Sequence, residues 1–198
     1  MNTRRSQLEN TLSSKYRINP MGMAIQKHDG SMSVHHSDQP YAHVNEAQQM
    51  YGVVDSYLTS ATGQQFLGYL ESQNRELMKI VGYGAGDLGE GVVAALMHNG
   101  LEGVIVSNYQ GKGFNSRVEE MAQMYHLSTE AALEYVLNHE LAHASGLFTE
   151  SGAEGFIKEY FLEQAHHATT PEEKAEYEAL AHVATEREAQ AYASEAKQ

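Results

Sequence analysis

Three features of this sequence predict an α+β fold, mostly helical, with a small sheet. Residues 131–145 run without Gly or Pro and carry an apolar stripe at helical spacing, Leu133, Leu137, Leu141 and Ala144. Near the C-terminus, Thr169-Thr170-Pro171 interrupts a second long helical stretch. Pro171 suits a first helical position, so two helices should fold back there as an antiparallel pair. Two short apolar runs, Lys79–Tyr83 and Gly103–Tyr109, have the composition of strands.

The elements follow in chain order. The first 45 residues are polar, hold five of the thirteen bases, and are broken by Pro20, Gly22, Gly30 and Pro40. They read as an extended or disordered arm, 1–45, ahead of one domain, 46–198. The arm's histidines, His28, His35, His36 and His43, read as solvated loop residues. From about Asn45 to Leu77 the pattern suggests one or two helices, with Gly63 as a break. Lys79–Tyr83 reads as a strand, Val92–His98 as a short helix, Gly103–Tyr109 as a second strand and Ser116–Tyr125 as a helix. Between the first two, Gly84-Ala85-Gly86-Asp87-Leu88-Gly89 fits the GxGxxG of dinucleotide sites. The acid expected about 20 residues further on is missing, since Val106, Ser107 and Asn108 occupy that region. The stretch therefore reads as a flexible strand-to-helix turn. Ser128 or Thr129 should cap the next helix, with Glu130 in its first turn and Gly146 as its stop. A helix at about residues 153–168 has Phe156, Ile157, Tyr160 and Phe161 on its packing face, and the last helix follows Pro171.

The chemistry concentrates in His139-Glu140-Leu141-Ala142-His143, an HExxH string. Histidines at i and i+4 lie one helical turn apart, so both imidazoles can reach one metal ion. They fall roughly 120° from the apolar stripe, at about 100° per residue. Glu140 can act as general base toward a metal-activated water. The motif resembles that of the zincin zinc metallopeptidases. The resemblance implies a zincin-like fold with an active-site helix, one Zn2+, and hydrolysis of a peptide or protein substrate with Glu140 as base. Zincins commonly bind the substrate backbone as a strand added to a sheet edge, and Gly103–Tyr109 is the candidate here.

A zinc site of this kind needs a third protein ligand. The HExxHxxG start resembles the metzincins, whose third ligand would fall at Thr149, a poor zinc ligand. The run through Gly155 is locally similar to the aspzincins, in which a carboxylate eleven residues after the second histidine binds zinc; here that residue is Glu154. Glu154 also lies at the edge of a packing face, where a carboxylate is costly unless paired or metal-bound. Glu150, in the same first turn, is an alternative. Thr185–Ala193 is similar to a segment of the ImmA/IrrE-type gluzincins. That resemblance offers Glu186 by its offset from Ala189, whereas the helical face favours Glu188. In the antiparallel pair Glu154 and Glu186–Glu188 reach the same level, at about 1.5 Å per residue. One can then bind metal while another orients a histidine. Tyr160, Tyr192 and His182 are candidates for stabilising an oxyanion.

Composition sets the outer bounds. Acids outnumber bases 26 to 13, a formal charge of −13, which argues against nucleic acid and anionic membranes as partners. The absence of cysteine excludes disulfides and thiolate metal sites. No apolar run is long enough for a membrane span, and no apolar signal region follows Arg4 and Arg5, so a cytoplasmic protein is expected. The alternative function is a zincin-fold, zinc-dependent sensor or regulatory binding protein with little general proteolysis. The intact Glu140 favours the enzyme. The oligomeric state is not legible.

Overall fold

The computed structural model describes residues 23–35, 40–89, 92–109 and 111–197 of the 198-residue chain. Among them, five strands and six helices occur in the order β1 (Met23–Lys27), β2 (Met32–His35), α1 (Pro40–Thr59), α2 (Ala61–Ser72), β3 (Lys79–Gly86), β4 (Ala94–His98), β5 (Glu102–Asn108), α3 (Phe114–Tyr125), α4 (Thr129–Ala144), α5 (Glu150–His167) and α6 (Pro171–Glu195). The fold is α+β and mostly helical. Its contacts divide the chain into two compact units: residues up to Thr59 with Leu77–Arg117, and Ser60–Glu76 with Val118 onward. The division falls within the stretch expected as one domain, 46–198.

The first unit is built on a mixed sheet of order β2-β1-β3-β5-β4, in which β3 and β5 are parallel and the other neighbours antiparallel. Successive strand residues face opposite sides. Met23 and Ile25 therefore join Met97, Val104 and Val106 in one cluster, while Ala24 and Ala85 pack with Ala47 of α1 on the other face. β1 and β3 approach closely at Gly82, where an added Cβ would lie 2.4 Å from the Gln26 carbonyl oxygen. A buried glutamate of α1, Glu46, accepts a hydrogen bond from the backbone N–H of Phe114 and so holds the first turn of α3.

Expectations are corrected at several points in this unit. Residues 23–35 and 40–45 are not an arm: they form β1, β2 and the start of α1, and β1 is paired on both sides. Gly30, read as a break, sits at φ +81° in the β1–β2 turn, where Asp29 Oδ1 accepts from Ser31 N at 2.9 Å. Residues 1–22 and His36 lie outside the described residues. His43 is buried, its ring edge-on to Tyr109, and His28 makes edge contacts with Tyr51 and Tyr83. The second correction is at Val92–His98, which contributes strand β4 rather than a helix. A short apolar run does not distinguish the two. The deciding signal is the Asn99-Gly100 pair before β5, with Gly100 at φ +90° and Asn99 Oδ1 accepting from Leu101 N and Glu102 N at 3.0 and 2.9 Å. Among the described residues the glycine-rich turn is followed by strand β4 and not by a helix, so the dinucleotide reading loses its structural context. β5 pairs on both sides, so Gly103–Tyr109 is no edge able to accept a substrate strand.

The second unit is helical. Phe66 and Tyr69 of α2 meet Phe156 and Tyr160 of α5, and Tyr135 and Tyr177 stack on Phe161. Ser128 caps α4 by accepting from Ala131 N at 3.0 Å. Thr170 caps α6, with Pro171 in its first turn. α5 and α6 are antiparallel, as the pairs Ser151–Glu195, Glu154–Arg187 and Lys158–Glu188 show. α5 begins at Glu150, three residues before the expected 153. No helix of the described residues is long and apolar enough to cross a membrane.

Candidate metal centre

The site is built at the junction of α4 and α5. α4 does not leave one polar face to solvent, as a simple stripe would suggest; residues from Ala131 to Ala144 are buried on nearly every side, His139 and Glu140 among them. The helix ends at Gly146, in the left-handed region at φ +95°, with Gly146 N donating to His143 O at 3.0 Å. The chain then turns back at once. Leu147 O lies 2.5 Å from His143 Nδ1. Thr149 starts α5 as its N-cap, accepting from Gly152 N at 3.1 Å. The residue at the metzincin ligand position is thus a helix cap.

This turn brings Glu150, the first residue of α5, to the two histidines. His139 Nε2 is 3.0 Å from His143 Nε2 and 3.2 Å from Glu150 Oε2, and His143 Nε2 is 3.6 Å from Glu150 Oε1. A ligand atom from each residue lies within 4.8 Å of the others, a spacing that can hold a metal ion. Ligands about 2.0–2.1 Å from a tetrahedral centre are roughly 3.3–3.4 Å apart. The observed separations bracket that spacing. The donor set, two imidazole nitrogens and a carboxylate, also fits a metal site with an open position.

Glu154 takes a different place from the one expected of a third ligand. Its Oε1 is 3.3 Å from Nδ1 of His139, the ring nitrogen facing away from the convergence. Glu154 is 1% exposed and firmly held: Arg187 Nε donates to Oε1 at 2.9 Å and the Tyr135 hydroxyl donates to Oε2. The structure does not bring the other two candidate acids to the histidines. Glu188 pairs with Lys158 at 2.9 Å, and Glu186 lies 3.4 Å from His182 on the exposed side of α6. Of the tyrosines considered for oxyanion stabilisation, Tyr160 is buried in the aromatic core and Tyr192 is exposed. His182 is exposed as well.

Sequence reasoning missed Tyr135 and Arg187. Each had a signal. Tyr135 precedes His139 by four residues, hence shares its helical face. Arg187 lies between the two acids weighed at the level of Glu154. The local field is strongly negative. Burial opposes a charged His139 ring, but Glu150 and Glu154, with Glu140, outweigh it and raise its pKa to about 10. The His139 and His143 rings beside Glu150 hold its carboxyl well below the usual carboxylate range. Burial pushes Glu154 upward, and His139, Arg187 and Tyr135 pull it back below its ordinary value. A field that retains a proton on an imidazole also attracts a metal cation, whose binding displaces that proton.

Comparison of the chain with known protein families, with characterised proteins and with solved structures finds no match in any of the three.

Proposed function

We propose that the chain is a zinc metallopeptidase of the HExxH type, with His139, His143 and Glu150 as metal ligands. The observation that carries this reading is the convergence of both Nε2 atoms on the two oxygens of one carboxylate. Glu150 replaces Glu154 as third ligand, and Glu154 becomes the residue that orients His139. Leu147 O is hydrogen-bonded to Nδ1 of His143, and Glu154 Oε1 lies 3.3 Å from Nδ1 of His139. With Nδ1–H directed there, each ring offers its Nε2 lone pair to the cation.

Bound at these three side chains, a zinc ion would polarise a peptide carbonyl and lower the pKa of a water. Glu140 takes a proton from the attacking water and passes it to the leaving amine. Glu140 is buried, at 3% exposed, and its charge acts on the neighbouring His139. The substrate is a peptide or protein. Glu140→Gln should retain zinc and lose hydrolysis by about 100-fold or more, since general-base catalysis contributes on that order. Peptide turnover by this variant at the parent rate would remove Glu140 from the mechanism.

A further inference from the structure

The three proposed ligands are not equally secured. His139 and His143 lie within α4, their side chains 10% and 12% exposed. Glu150 is the first residue of α5 and its side chain is 58% exposed. Helix ends fray, and their first N–H groups lack partners within the helix. A ligand placed there needs its backbone fixed from outside.

That fixing comes from the last turn of α6. Glu195 Oε1 accepts from Ser151 N at 3.1 Å, and Oε2 accepts from Ser151 Oγ at 2.7 Å. Ser151 is buried and adjoins Glu150. The carboxylate thus satisfies an orphan N–H in the first turn and meets the positive end of the helix dipole. Thr149 satisfies the next N–H, that of Gly152, from within the same segment. Glu195 is the contact that crosses from another helix, 44 residues along the chain.

We propose that Glu195 is a positioning residue for the metal centre: its grip on Ser151 fixes the first turn of α5 and aims the Glu150 carboxylate at His139 and His143. The proposal rests on reading those three residues as a metal site. It gives the end of α6 a role in metal binding although no ligand lies on that helix.

The test uses the full chain and two metals. Zn2+ affinity is measured by competition with a chromophoric chelator, and the Co2+ form is followed by its visible d–d spectrum. The variants are Glu195→Ala, Glu195→Gln, Ser151→Ala and Glu188→Ala, each checked for helical content by circular dichroism. Glu195→Ala should weaken Zn2+ binding about tenfold, as loss of an outer-shell partner does, and alter the Co2+ spectrum. Glu195→Gln keeps one acceptor oxygen, and Ser151→Ala keeps the backbone bond, so both should fall between Glu195→Ala and the parent. Glu188→Ala breaks an ion pair between the same two helices and should leave affinity and spectrum at parent values. Parent affinity and spectrum in Glu195→Ala would overturn the proposal. Equal losses in Glu188→Ala and Glu195→Ala would also overturn it, by showing a general effect of helix pairing. Should the parent itself bind neither metal, the reading of the site falls, and the proposal with it.

Discussion

At the residue scale, His139 is the most constrained side chain of the site, because a carboxylate faces each of its nitrogens. This separates the roles of Glu150 and Glu154 in a measurable way. Glu150→Ala removes a donor atom and should cost the most Zn2+ affinity of any carboxylate variant. Glu154→Ala leaves the donor set whole and should cost about 10–100-fold. A larger loss in Glu154→Ala, by metal competition, would restore it as the ligand. A second buried acid makes a prediction about stability. Burial, then the charge of Glu176, raises the pKa of Glu134 in α4 from 4.5 to about 8, with the nearby Asn138 amide acting in the opposite direction. Its charge also bears on the hydroxyls of the buried Tyr160 and the half-buried Tyr177. Between the unfolded and folded values the folded chain holds a proton that the unfolded chain has lost. Stability therefore falls as pH rises from about 4.5 to about 8, then levels off. Glu134→Gln should remove this decline and raise the thermal midpoint above the parent's at pH 8.5, with little difference near pH 4.5. Parallel pH profiles for the two proteins would contradict the assignment.

At the scale of elements, what was legible depended on how local the signal is. The α4 cap, its HExxH pair and its Gly stop all lie within one twenty-residue window, and the structure keeps them there. The level matching of α5 with α6 was legible too, because a single turn at Thr169–Pro171 sets the register. The choice between Glu150 and Glu154 was not. It depends on Gly146 reversing the chain so tightly that α5 starts at residue 150, and helix starts are uncertain by a few residues from pattern alone. Strand β4 was misread for want of length, and the hairpin signal at Asn99-Gly100 outweighs its local pattern. Gly146 also makes a test of the turn. An added Cβ meets nothing within 4 Å, so Gly146→Ala carries only the strain of φ +95°. It should lower stability by about 1–2 kcal/mol in a denaturant melt. No loss would show that the left-handed turn is not needed.

At the scale of the whole molecule, the sequence reads residues 1–45 as an extended or disordered arm, whereas residues 23–35 form a paired hairpin. β1 sits between β2 and β3, and Met23 and Ile25 are part of the sheet unit's apolar cluster. These strands, of five and four residues, are too short for periodicity to reveal. Deleting residues 1–45 should lower the thermal midpoint sharply or abolish cooperative unfolding, by circular dichroism. A deletion variant melting with the parent would show that the hairpin is not part of the folded unit.

X-ray absorption at the zinc edge tests most directly whether His139, His143 and Glu150 hold one cation, on the full chain reloaded with zinc and on Glu150→Ala. About one zinc per chain is predicted, in a shell of two imidazole nitrogens with oxygen neighbours at about 2.0–2.2 Å. Glu150→Ala should lose zinc or show an altered oxygen shell with both imidazoles retained. No bound zinc in the parent, or an unchanged shell in Glu150→Ala, would contradict the assignment.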